Sequence, residues 1–311
     1  MIVWVSGINR RRWYWESKYD PLRERYATCP GHSWVNMEIK ALYTGEKWLP
    51  YQEAGAVYYF TVHSIFSKVI NFVSGGELLS VAAESAGCSS SFLTIPGRNA
   101  ERCISCDSGP GRRCMVQAGV LHLENCTINF RNAALWKGPV SKEYRHYKKI
   151  KDENIAAFKA VLDRKAAPQS AWSHLHGNCK NKITGFNVIR KLHEDPSLAR
   201  SLIGLGQGLT PAGDDMLVGF LSMVNHLYEN RKFVSELHEI ILGSIGETVD
   251  LSAQVLANAL NWDYHEYIQI CIRDLCEGEK EAVYVSTASL LSMGASSGSD
   301  IACGMYFGML I

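Results

Sequence analysis

No stretch of this 311-residue sequence approaches the roughly 18 consecutive apolar residues that a membrane-spanning helix needs. The opening run, Met1-Ile2-Val3-Trp4-Val5-Ser6-Gly7, is too short to export or anchor the chain. A cytoplasmic protein with reduced thiols is expected. An excess of charge is lacking too. Lys and Arg number 32 against 31 Asp and Glu, a formal net charge of +1, so no global field points to nucleic acid or to an acidic membrane. Arg10-Arg11-Arg12 and Lys148-Lys149 are short enough to be solvated faces. The ten cysteines lack a pattern. Cys103-x-x-Cys106 has metal-like spacing, but Cys114 and Cys126 stand alone after it and no second pair completes a zinc site.

What is present divides the chain by character. Residues 1–50 carry five tryptophans among charges without a sustained period, and read as an irregular segment. From about residue 51 to 140, branched and aromatic runs alternate with turn signals. These are Ala56–Val62, His63–Phe72 after it (with a helical turn possible), Leu78–Ala82, Phe92–Ile95, Val116–Leu123 and Thr127–Phe130, with Gly75-Gly76 as one turn. Such closely spaced short runs predict an antiparallel sheet or small barrel. A polar, basic stretch over 141–151 suits a linker. Helical periodicity then dominates residues 150–311, beginning with Ile155, Phe158, Val161 and Leu162 on one face. The expected fold class is α+β, an N-terminal antiparallel β-rich domain followed by a mainly α-helical one.

The densest chemistry lies in Gly204-Leu-Gly-Gln-Gly-Leu-Thr-Pro-Ala-Gly-Asp-Asp-Met-Leu-Val-Gly219. Gly206 and Gly208 free the backbone to pass close to a ligand. Thr210 reads as a helix N-cap with Pro211 at the first helical position. Gly213, Asp214 and Asp215 then fall in the first turn, among N–H groups without helical partners. No Gly-Lys-Ser/Thr follows, so this is not the phosphate loop, and it does not fit the dinucleotide fingerprint. The chain ends on an echo of it. Gly298-x-Asp300-x-x-x-Gly304 repeats Gly213-x-Asp215-x-x-x-Gly219, and both lead into apolar helices. Two readings fit. Either the helix starts meet and present Asp215, Asp300 and free N–H groups to one cavity, or the glycines only let helices pack. In the first reading the N–H groups, with Gly206, Gly208, Thr210, Gly213, Ser297 and Gly298 around them, bind phosphate or carboxylate. Asp214, Asp215 and Asp300 then supply catalytic carboxyls.

Weaker candidates stand elsewhere. His63 and Ser64 are adjacent on a strand, where side chains alternate between faces, so they do not simply form a nucleophile–base pair. Each is nonetheless a candidate substrate contact. His174-x-His176 has no third metal ligand nearby. Thr248 and Ser252 share a helical face, where hydroxyls more often cap than bind substrate. Phe130-Arg131-Asn132 and Trp136 close the β-rich part.

The Gly204–Gly219 motif closely resembles the signature of the AllH-like family. Val62-His-Ser-Ile-Phe-Ser-Lys-Val-Ile-Asn71, Thr248-x-x-x-Ser252 and Gly294-Ala-Ser-Ser-Gly-Ser-Asp300 with Gly304 support the resemblance, over roughly residues 55–311. It implies a subunit of oxamate carbamoyltransferase. That complex releases oxamate and carbamoyl phosphate from oxalurate in anaerobic allantoin breakdown. The implied partners are a small carbamoyl substrate, phosphate and the other subunits, with no nucleic acid and no membrane. Asn261-Trp262 departs from the pattern, where a Gly commonly follows the helix after Thr248. Two alternatives stay open: a non-catalytic binding or assembly subunit, and a phosphate-handling enzyme with Mg²⁺ held by Asp214, Asp215 and Asp300. No cofactor is firmly implied.

Overall fold

In a computed structural model, the described residues form one curled sheet and one helical layer. The structure describes residues 37–97, 100, 103, 109–124, 126–138, 150–176, 184–228 and 230–311. Residues 1–36, with the Arg10–Arg12 cluster, lie outside them, as do Cys106 and residues 139–149, which take in the expected linker of 141–151 except its last two residues, and the Lys148-Lys149 pair.

The strands are β1 (Met37–Lys40), β2 (Tyr43–Thr44), β3 (Val57–Ile65), β4 (Val69–Ser74), β5 (Glu77–Ala83), β6 (Phe92–Ile95), β7 (Arg113–Gln117), β8 (Val120–His122), β9 (Cys126–Asn129) and β10 (Ala134–Leu135). Their order is β1-β9-β8-β7-β3-β4-β5-β6-β2-β10. Hairpins build the antiparallel middle, while β1/β9, β5/β6 and β2/β10 run parallel. The stretch from Met37 to Thr44, without a period in the sequence, is therefore strand. It pairs with β9 at its start and with β6 at its end, so the sheet curls back towards its own beginning. Gly75 and Gly76, at φ 59° and 86°, form the two-residue turn between β4 and β5, a backbone that side chains disfavour.

Inside the curl, Trp48 stacks on Phe60 at 5.6 Å and meets Phe130 edge-on at 5.5 Å. Its Nε1–H donates to Ser91 O at 2.9 Å, which satisfies the one polar atom it buries.

The run His63–Phe72 contains no helical turn. It is the end of β3, a tight connection and β4. Val62 pairs with Phe72 and Ser64 with Asn71, so His63 is an extra residue, a β-bulge. The alternation of faces fails there. Val62 and Phe72 belong to the core inside the curl, whereas the Ser64–Asn71 pair falls on the opposite face, together with His63.

The helices are α1 (Asp152–Lys165), α2 (Ala171–Leu175), α3 (Ala212–Leu227), α4 (Arg231–Ser244), α5 (Asp250–Leu260), α6 (Glu266–Glu277), α7 (Lys280–Leu291) and α8 (Ser297–Met309). The candidates at 183–192 and 197–203 are 3-10 helices, Thr184–Lys191 and Pro196–Ser201. Among the described residues, no helix is long and apolar enough to cross a membrane. At the centre α3 crosses α8, and the two repeated glycines are the contact. A Cβ on Gly219 would sit 1.9 Å from Ile301 O, and one on Gly304 would sit 1.9 Å from Met216 O. The echo in the sequence is thus a reciprocal helix pair. Its glycines at 219 and 304 serve close packing.

Candidate functional site

The helix pair brings its two starts together. Thr210 Oγ1 lies 2.9 Å from Ser297 Oγ, one residue from each motif. Thr210 is not the N-cap that its position suggests. Pro211 holds that place, at φ −52° and ψ 137°, and α3 begins at Ala212. The Thr210 hydroxyl is thereby released to reach across to the second motif.

The N–H groups of Gly213, Asp214 and Asp215 in α3, and of Gly298, Ser299 and Asp300 in α8, are already used. Gly213 N–H donates to Leu205 O at 2.8 Å and Gly298 N–H to Met293 O at 3.0 Å. Asp214 and Asp215 donate to Pro211 O, and Ser299 and Asp300 to Ser296 O. Each helix is entered by chain that folds back beneath it, and that chain takes the donors. It also explains Gly213 and Gly298, whose Cβ atoms would lie 2.0 Å from Leu202 O and Leu290 O. The open donors lie in the loop before α3. Gly206 and Gly208, at φ 127° and 96°, make no N–H hydrogen bond among the described residues.

The three acids do different work. Asp214 Oδ1 accepts from Gly204 N–H at 2.8 Å and Oδ2 from Thr248 Oγ1 at 2.5 Å, so this side chain ties the glycine loop to the approach to α5. Burial raises its pKa, against the pull of Thr248 and Gly204. Asp300 Oδ1 accepts from Ala171 N–H at 2.6 Å and anchors the start of α2. Burial pushes Asp300 up to about 7. Asp215 is 4% exposed. Burial and then the facing Asp300 charge raise its pKa well above the ordinary carboxylate value. The Thr210 and Ser297 hydroxyls lie close enough to favour its anion, yet Oδ2 is buried without a hydrogen-bond partner. Ser252 Oγ is likewise buried and unpartnered, although it lies near enough to Asp214 to bias it. Two orphaned polar atoms beside one glycine loop are what a polar ligand would satisfy.

Residues 202–309 match the family model described as oxamate carbamoyltransferase subunit AllH. No curated protein and no solved structure matches the chain. The AllH match begins at Leu202, whose carbonyl packs on Gly213, and ends with α8. It holds both helix starts, Asp214, Asp215 and Asp300, and leaves out the sheet. Within it, Trp262 stands where the resemblance expects Gly, and its φ is +62°. Asp263 N–H bonds Asn258 O at 2.9 Å and Trp262 N–H bonds Ala259 O at 3.1 Å. This is the helix ending whose left-handed position glycine usually fills. The Trp262 ring, 4.9 Å from His226, packs where a glycine has nothing to offer.

The remaining candidates fall elsewhere. Among the described residues no hydrogen bond joins His63 or Ser64 to the helix starts. His63 Nδ1 lies 3.1 Å from Ser64 Oγ, a pairing that strict alternation forbids and the bulge permits. Sequence reasoning missed Asn71 and Ser80, which continue this row. A polar Asn71 inside the apolar run Val69–Val73 was the available signal. His176 Nδ1 lies 2.8 Å from Trp172 O, and His174 packs edge-on against Phe186. Cys103 and Cys126 approach to 3.4 Å as buried thiols. No group of three or more His, Cys, Asp or Glu among the described residues is placed to hold a metal ion. A surface groove of about 510 Å³ between α6 and α7, lined by Ile270, Ala282 and Val285, shares no residue with the acids.

Proposed function

We propose that the chain is a cytoplasmic subunit of an oxamate carbamoyltransferase complex, acting on a ureido acid such as oxalurate with phosphate. The observation that carries this reading is Asp215, buried, its pKa raised by that burial and its Oδ2 unpartnered, inside the segment matched by the AllH family model. Moving a carbamoyl group from oxalurate to phosphate breaks a C–N bond, and the departing oxamate nitrogen must gain a proton. A buried carboxyl whose pKa is raised is suited to give one. The open N–H groups of Gly206 and Gly208 suit the substrate carboxylate or phosphate. Asp214 is the residue that holds this loop, and Asp300, facing Asp215, adds to the burial that raises its pKa.

The test is phosphate-dependent release of carbamoyl phosphate from oxalurate by the chain with its partner subunits. Asp215→Asn, nearly isosteric, is expected to lower the rate by about 100-fold or more with little change in melting. Asp214→Ala strands Gly204 N–H and the Thr248 hydroxyl, and is expected to cost about 1–3 kcal/mol of stability. Full activity of the Asp215→Asn complex removes the acid role. A complex inert on oxalurate removes the carbamoyl reading altogether. One observation favours a second reading, a binding or assembly subunit. The first-turn N–H groups and both Asp214 oxygens are already used within the chain. In that case oxalurate binds the isolated chain, and Asp215→Asn weakens binding without touching turnover in the complex.

A further inference from the structure

The geometry points to a second reactive centre, on the sheet. We propose that Ser64 is a nucleophile and His63 its general base, brought to one face by the β-bulge in β3. The argument starts from register. Val62 faces the core with Phe72, and one extra residue then sets Ser64 opposite Asn71 on the outer face. Adjacent residues can therefore act as a pair.

Hydrogen bonding gives the pair a direction. Ser80 Oγ donates to Asn71 Oδ1 at 2.7 Å, which orients the amide. Asn71 Nδ2 then donates to Ser64 Oγ at 2.9 Å. His63 Nδ1 lies 3.1 Å from the same Ser64 Oγ, and in the tautomer that carries its proton on Nε2 it accepts the Ser64 proton. A serine hydroxyl within hydrogen-bond reach of an imidazole is the nucleophile–base contact of an activated hydroxyl, and Asn71 holds the serine end of it. Three polar side chains in a buried row across β3, β4 and β5 are an expensive choice unless each is used. Ser64 is 5% exposed and His63 is half-buried, so the pair opens to solvent at its histidine end.

The substrate class is a small carbonyl compound with a leaving group. The Ser64 Oγ–C bond forms and the bond from carbon to the leaving group breaks. The Oγ proton passes to His63 Nδ1 and on to the leaving group. Water or phosphate then cleaves the Oγ–C bond, with His63 taking its proton and returning one to Ser64. Asn71 is a positioning residue. This centre stands on the bulge alone, whatever becomes of the carbamoyl reading.

The experiment treats the full chain with an alkyl fluorophosphonate, and in parallel with an aryl carbamate, and maps the adducts by peptide mass. The expected result is a single adduct on Ser64, absent from Ser64→Ala. In His63→Gln it forms about 100-fold more slowly while melting is unchanged. Asn71→Asp replaces the donor with an acceptor that competes for the Ser64 proton. It is expected to slow labelling and to move its pH profile. An unlabelled wild type, or an adduct that maps elsewhere, overturns the proposal. Labelling of His63→Gln at the wild-type rate overturns the base assignment even if Ser64→Ala fails to fold.

Discussion

Three carboxyl groups within one helix pair have three fates, decided by what each oxygen touches. Asp214 accepts two hydrogen bonds, Asp300 accepts one from α2, and Asp215 is left with an unpartnered oxygen. For Asp300 the consequence is a pH dependence of known sign. Its pKa rises from 3.8 to about 7 on folding, so the folded state binds more protons between those values. The stability it contributes is complete below pH 3.8 and is lost as pH rises through about 7. Relative to Asp300→Asn, the wild type is expected to lose a few kcal/mol between pH 4 and 7, read as a steeper fall in melting temperature. A parallel pair of curves refutes it. The two Asp residues in sequence at 214 and 215 are indistinguishable by capping rules. Only the neighbours, Thr248 from 33 or more residues further on and Asp300 from the other helix, separate holder from donor.

At the scale of elements, the α3–α8 crossing and the α5 ending carry the clearest tests. Gly304 faces the backbone oxygen of Met216 across the crossing, and backbone cannot step aside as a side chain tip can. Gly304→Ala is expected to destabilise by at least about 1–3 kcal/mol, the range for overpacking. Gly243, in α4, has nothing near its would-be Cβ, so Gly243→Ala is expected to stabilise by up to about 1 kcal/mol through helix propensity. Urea denaturation of the two variants compares them directly, and equal effects would contradict the packing account. Trp262 sits in a left-handed position. Both Trp262→Gly and Trp262→Ala lose the ring packing on His226, but glycine also sheds the backbone strain. Trp262→Gly is therefore expected to be about 1–2 kcal/mol more stable than Trp262→Ala. The elements themselves were largely legible. Phe92–Ile95, the Gly75-Gly76 turn and the amphipathic helices after residue 150 follow from period and turn chemistry. Thr210 misled because its hydroxyl suits an N-cap, while a distant Ser297 offered it another partner. The His63 bulge was invisible, since an extra residue shows only once the opposing strand is in place.

For the molecule as a whole, the helical layer is tied to the sheet at the start of α6. Glu266 N–H donates to Cys88 O, and Cys88 N–H to Glu266 Oε2, both at 2.9 Å. His265 Nδ1 accepts from Tyr267 N–H at 3.2 Å, so its Nε2–H donates to Ala86 O at 2.9 Å. Burial pushes His265 down from 6.5 to about 4. Its contribution is present above pH 6.5 and lost as pH falls through about 4, opposite in sign to Asp300 over nearly the same window. His265→Gln is expected to remove the acid-side loss alone, so that its melting curve converges with the wild type's as pH falls towards 4. No convergence rules out His265 as the acid-sensitive tie. What the sequence by itself determined is local: which segments are strand or helix, where turns fall, and that one glycine–acid motif occurs twice. Those follow from backbone preferences and periodicity within a dozen residues. The tertiary structure decided that the repeated glycines pack helices, that Asp215 is the buried carboxyl left with an unpartnered oxygen, and that His63 and Ser64 share a face. Burial, charge proximity and strand register depend on partners distant in the chain, and no local pattern contains them.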